Sequence, residues 1–200
     1  MRKKIGVLCC CIFMAGIFAQ SMDEDLKKAI LLHDSAALES NTDKALACQE
    51  LLKPYIEKDA VCRAYYGSAV TVEASFYEKS NPIKALSLLD KGSEFIDSAV
   101  EMDSDNFIVR ILRLTNGVQV SSSSPLKRYK VIKNDVAWFE KNGIDYGKDE
   151  NARLYYNIAL FYLAVNNLDA ALYALDDCIA TKSSDPVVKK AQELLRRYEE

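Results

Sequence analysis

The chain has a single histidine, His33, and only seven glycines, spread along its length. One imidazole cannot make a metal-binding histidine pair, and His33 falls inside a helical pattern with no partner in its vicinity. It therefore reads as a helix-face residue, not as a base or ligand. The glycines are too scattered for a phosphate-cradling loop. Positive charge is also short: the formal net charge is −3, and an acidic chain is a poor match for nucleic acid or an anionic membrane surface. These shortages predict no catalytic residues, no metal site and no cofactor, so the chain is not expected to be an enzyme.

The cysteines look plentiful until their positions are read. Cys9, Cys10 and Cys11 fall in an N-terminal segment where Arg2, Lys3 and Lys4 precede an apolar run from Ile5 to Phe18, with small residues at Ala19 and Ser21. A basic start, an apolar centre and small residues at a cleavage point read as a signal peptide over 1–21, leaving 22–200 as the mature domain. The run is shorter than the roughly twenty apolar residues of a spanning helix. Membrane association would then run only through an uncleaved leader or an envelope complex. Losing the leader's three positive charges takes the net charge from −3 to −6, and six cysteines become three: Cys48, Cys62 and Cys178. Three cannot complete a disulfide framework. Each lies in an apolar helical pattern, where a free thiol packs as a small hydrophobe. The alternative, a Cys48–Cys62 bridge formed after export, is disfavoured because the two sit at unequal distances from the turn near Lys58. The expected location is exported, periplasmic or cell-surface.

What the chain does have is repetition. The heptads SNTDKAL at Ser40, SNPIKAL at Ser80, SSPLKRY at Ser123 and NNLDAAL at Asn166 start 40, 43 and 43 residues apart. Their second positions are Asn41, Asn81, Ser124 and Asn167, short polar residues that accept hydrogen bonds from unpaired amides at a helix start. Pro82 and Pro125 follow at the first helical position, where a missing N–H costs nothing. Each heptad is thus expected to open a helix. Ala45 with Leu46, Ala85 with Leu86 and Ala171 with Leu172 place small and branched groups where a neighbouring helix can approach; the third copy has Arg128 and Tyr129 there. A second echo, RAYYGSA at Arg63 and RLYYNIA at Arg153, precedes two of the heptads as the first helix of a pair.

A fixed period of this size predicts stacked helical hairpins. Apolar spacing puts helices near 23 to 38, 42 to 57, 59 to 78, 82 to 102, 105 to 120, 125 to 141, 150 to 165, 168 to 181 and 184 to 198. The last, with apolar Val187, Ala191, Leu194, Leu195 and Tyr198 and an otherwise charged surface, suits a terminal cap. DSDN at Asp103 briefly suggests a calcium loop, but apolar Phe107, Ile108 and Val109 follow where further oxygen ligands are needed, so it reads as a turn. NGIDYGKDE from Asn142 is the one sizeable connection expected.

The stretch from Tyr155 to Ile179 resembles a tetratricopeptide repeat. Tyr155, Ile158, Ala159 and Tyr162 occupy that family's first-helix positions, and Ala171 and Leu175 those of its second. The resemblance extends over nearly the whole mature chain, although the three earlier repeats run about one turn longer than the family's unit of about 34 residues. It implies an all-α, right-handed solenoid of about four hairpins plus a C-terminal capping helix. It also implies a scaffold that binds a protein or peptide through a concave face lined by first helices. Carried over, that face comprises Arg63, Tyr66 and Val70, then Asn106, Val109 and Arg113, then Arg153, Tyr156 and Leu160. Arginine forks grip carboxylates and tyrosines give rigid contact area, so an acidic or C-terminal carboxylate segment suits such a wall. The rival reading is a structural subunit of an envelope complex, or a self-associating protein, whose groove is filled by its own C-terminal helix.

Overall fold

The structure is a computed structural model that describes the backbone of 6–39, 41–143 and 145–199 and the side chains of 22–39, 41–143 and 145–198. Among the described residues the chain is all-α, without a strand. Its helices are α1 (Gly6–Glu39), α2 (Thr42–Leu52), α3 (Ala60–Ser75), α4 (Pro82–Met102), α5 (Phe107–Ser123), α6 (Tyr129–Asn142), α7 (Lys148–Ala164), α8 (Leu168–Ala180) and α9 (Pro186–Glu199). The expected leader, 1–21, lies outside the residues whose side chains are described. Among the described residues no helix is long and apolar enough to cross a membrane.

Two compact units divide the chain, Met1–Met102 and Asp103–Glu200. In the first, α1 packs on α2 and α3, α2 on α3, and α3 on α4. Pairs at opposite ends make α1 and α2 antiparallel: Tyr55 Oη donates to Asp25 at 2.6 Å and Lys44 reaches Glu39 at 2.6 Å. The α3–α4 pair is antiparallel by the same logic, with Arg63 Nη1 3.2 Å from Met102 Sδ and Lys84 Nζ 3.9 Å from Glu73 Oε1. Midway along that pair Gly67 and Gly92 face each other so closely that a Cβ on Gly67 would stand 2.6 Å from the Gly92 carbonyl oxygen. Absence of both side chains lets the two backbones meet, and Tyr66 and Phe95 close edge-to-face beside them at 4.8 Å.

In the second unit α5 pairs with α6, α7 with α8, and α9 covers α7 and α8; α5 also packs on α7. Phe139, Ile132, Leu114, Leu154 and Leu175 are fully buried at its centre, each such side chain contributing about 1.5–3 kcal/mol through removal from water. Helix α9 seats Ala191 in this core, with Val187, Leu194 and Leu195 packed around it. Tyr198, expected on the same face, is instead 46% exposed; it lies in the final turn, beyond the core against which the helix packs.

The repeated segments occupy repeated environments. Ala45, Ala85 and Ala171 are all buried, while Leu46 and Leu86 stand outward and Leu172 is half-buried, so the small residue, not its branched neighbour, makes the helix contact. In RAYYGSA and RLYYNIA the paired tyrosines are half-buried and the last three residues buried in both copies. Asn41, Asn81 and Asn167 each accept a hydrogen bond from the amide three residues on, at 3.2, 3.1 and 3.3 Å. Asn106 likewise accepts from Ile108 and Val109, so the DSDN segment ends α4 and caps α5.

The third heptad departs from the expectation. Ser124 opens no helix: α5 runs through Ser123, and the Ser124 hydroxyl donates back to the Val120 carbonyl at 2.7 Å. Lys127 Nζ donates to the carbonyls of Ser121 and Ser124, and the Arg128 amide donates to Ser121 Oγ at 2.7 Å. These bonds tie 124–128 to the end of α5, and α6 starts only at Tyr129. Helix α2 also stops five residues before its expected end at 57, because Pro54 has no N–H to continue the ladder; turns closed by Tyr55 N to Leu52 O and Asp59 N to Tyr55 O carry the chain onward. This connection, 53–59, is longer than the one at 143–147 that was expected to be the longest.

Candidate functional site

Helices α7 and α8 present complementary stripes along their shared face. On α7, Tyr155, Ile158 and Tyr162 recur at helical intervals; on α8, Ala170, Tyr173, Ala174 and Asp177 do the same in the opposite direction. Large rings on one helix opposite alanines on the other leave space, and the end of α6 closes it with Phe139, Glu140 and Gly143. The result is an open cavity of about 370 Å³, within the size range of small-ligand sites.

Its polar groups are ordered. Tyr162 Oη donates to Glu140 Oε1. Burial first, then that bond and the Glu140 charge, push the Tyr162 phenol from 10.0 to about 12. Tyr155 is raised by burial and then by the charge of Asp177, which lines the same cavity. Tyr173 stands 74% exposed at the mouth. The cavity therefore combines aromatic walls, neutral phenols and two carboxylates, and no lining residue is cationic. Tyr155, Ile158 and Tyr162 were singled out in the sequence as repeat positions. Glu140, Tyr173 and Asp177 were not, because their role depends on which residues oppose them across the helix pair.

The nine residues expected on a concave face divide between the units. In the first, Arg63 is half-buried, 3.4 Å from Glu57 and over the Phe95 ring at 5.9 Å; Tyr66 packs on Phe95; Val70 is buried. In the second, Asn106 caps α5, Val109 is fully buried, and Arg113 is buried in an ion pair with Asp135. Arg153 donates to Asp185 Oδ2 at 2.6 Å, and Asp185 in turn accepts from the Val187 amide, so this arginine anchors the start of α9. Tyr156 lines a smaller cavity, about 180 Å³, with Lys190, Glu193 and Arg197 of α9, and Leu160 packs against the core. Val70, Val109 and Arg113 are thus directed into their own units.

His33 has partners after all: Nδ1 lies 3.0 Å from Asp34 Oδ1, Nε2 2.8 Å from Ser68 Oγ, and the ring stands edge-on to Tyr65 at 5.5 Å. The sequence could not show this, since Ser68 is 35 positions away. A serine, histidine and aspartate in contact suggest a nucleophile, but Ser68 is buried within α3, where surrounding amides are spent on the helix ladder and cannot stabilise an oxyanion. The contact is a clamp between α1 and α3. Among the described residues, Cys48, Cys62 and Cys178 are free and buried.

Compared with models of known families, with curated proteins and with solved structures, the chain gives no match in any of the three.

Proposed function

We propose that the chain is an exported scaffold of tetratricopeptide type whose hairpins stack as a solenoid within each unit, and that it binds a protein or peptide partner through the α6–α7–α8 cavity. The stacking is supported by contacts between alternate helices, α1 with α3, α5 with α7 and α7 with α9, the pattern a hairpin array requires. The binding reading is carried by one observation: a cavity walled by Tyr155, Tyr162 and Tyr173 that, among the described residues, no basic side chain lines. Such rigid aromatic walls suit recognition. Export rests on the leader-like segment over 1–21. The mature chain carrying Tyr173→Ala with Asp177→Asn should lose a partner captured from its host and identified by mass spectrometry. A chain altered at Arg63, Tyr66, Arg153 and Tyr156 should retain it; the reverse pattern would return the site to the first-helix face.

A specific observation favours the rival as second reading. Tyr156, one of the expected concave-face residues, shares a small cavity with Lys190, Glu193 and Arg197 of α9, which supports a reading in which the chain's own C-terminal helix fills the face. Self-association of the mature chain in sedimentation velocity, abolished by changes on the outer faces and not by Tyr173→Ala, would support that reading.

A further inference from the structure

We infer that the α6–α7–α8 cavity receives the ammonium group of a lysine side chain presented by the partner. This rests on the proposed binding function and specifies its chemistry. Glu140 and Asp177 both line the cavity, and among the described residues neither is ion-paired with a lysine or arginine. Two carboxylates without a cation, in a cavity lined by three tyrosines, form a field that attracts a positive group, to which a ring quadrupole adds where a cation meets a ring face. An acidic segment, the partner suggested by the arginines in the sequence, would be repelled here, while Arg113 is already engaged with Asp135.

The choice of lysine over arginine follows from Glu140. One of its oxygens already accepts the Tyr162 hydroxyl, which compromises the two-pronged docking that a guanidinium fork prefers. A compact ammonium with three donors needs only single oxygens, which both lining carboxylates can offer. Its four-carbon stem would lie along Phe139 and Ala174, whose surfaces line the same space. A polypeptide source is favoured over a free amine because the cavity is open at Tyr173, so that a chain can pass while one side chain enters.

The test uses the mature chain with 13C-labelled tyrosine and three short neutral-capped peptides, identical except for a central lysine, Nε-acetyl-lysine or arginine, with n-butylammonium as a fourth ligand. The lysine peptide should shift the Tyr155, Tyr162 and Tyr173 ring resonances, and acetylation should weaken it about tenfold, the scale of a partly desolvated cation contact. Asp177→Asn and Glu140→Gln should each weaken it severalfold, and added salt should weaken it further. Equal binding of the lysine and acetyl-lysine peptides would overturn the inference, as would tighter binding of arginine or absence of any shift up to about 10 mM peptide. Butylammonium binding as tightly as the peptide would also overturn it, by assigning the site to a free amine. If lysine selectivity fails while Tyr173→Ala still abolishes capture of the natural partner, the lysine assignment falls and the binding function stands. If Tyr173→Ala leaves capture intact, the binding function falls.

Discussion

Arg113 on α5 and Asp135 on α6 meet through two parallel hydrogen bonds, Nε to Oδ2 and Nη2 to Oδ1, both 2.7 Å, with the carboxylate wholly buried. Arg110 adds a third donor to Oδ1 at 2.8 Å while its guanidinium lies over Trp138 at 4.9 Å. Truncating the shared acceptor would take a charged partner from two guanidinium groups that are largely shielded from water. Asp135→Ala is therefore expected to cost about 3–5 kcal/mol in denaturant unfolding. Replacing Arg113 and Asp135 together by Met and Leu should cost less than Asp135→Ala alone, since the buried Arg113 guanidinium leaves with its acceptor and Arg110 keeps its bond to the Ser104 carbonyl. A loss below about 1 kcal/mol for Asp135→Ala would mean the pair is solvated.

The α3–α4 contact depends on the absence of two side chains. A Cβ on Gly92 would meet Thr71 Cγ2 at 2.5 Å and the Gly67 carbonyl oxygen at 2.6 Å. Gly92→Ala should destabilise by about 1–3 kcal/mol, despite the better helix propensity of alanine, because the helices must separate. Adding Thr71→Ser removes the methyl but not the backbone oxygen, so it should recover only part of the loss. Complete recovery in thermal denaturation would show that the backbones do not approach as closely as described.

Much of this architecture was legible because helix starts and small-residue contacts are local signals. Asn41, Asn81 and Asn167 cap as their spacing indicated, and Ala45, Ala85 and Ala171 are buried at matching places. Ser124 defeats the same logic, since its hydroxyl donates back to the Val120 carbonyl and accepts only from the Leu126 amide two residues on, closing a local turn where a helix start was expected. The inward turn of Arg113 was illegible for another reason: its acceptor is 22 positions away, and helical periodicity treats an inward and an outward arginine alike. The cavity was hidden in the same way, arising only when Ala170 and Ala174 are set opposite Tyr155 and Tyr162.

The two cap roles give contrasting mutants. Asn81→Ala removes the acceptor for the Lys84 amide and should cost about 1 kcal/mol. Ser124→Ala leaves the start of α6 untouched, because that start has no side-chain cap. It removes only the local bonds around the end of α5, and its cost should stay near about 0.5 kcal/mol. Equal losses for the two in chemical denaturation would mean Ser124 caps α6 after all.

The buried thiols set an alkaline limit. Burial, and then nearby Asp34, pushes Cys48 from 9.0 to about 12; burial, and then Asp59, does the same for Cys62, and burial with Asp185 takes Cys178 to about 11. Each thiol ionises less readily folded than unfolded, so its contribution is fully present below about 9 and is lost as pH rises through 11 to 12. Melting temperature should hold steady toward pH 9 from below and fall above it. Changing all three cysteines to alanine should flatten that fall without abolishing it, because the Tyr162 phenol, also pushed to about 12, loses stability across the same range. Near neutral pH, peptide mapping after thiol alkylation should find Cys48, Cys62 and Cys178 modified only slowly unless denaturant is present. Rapid native modification of any one of them would place that thiol outside the core.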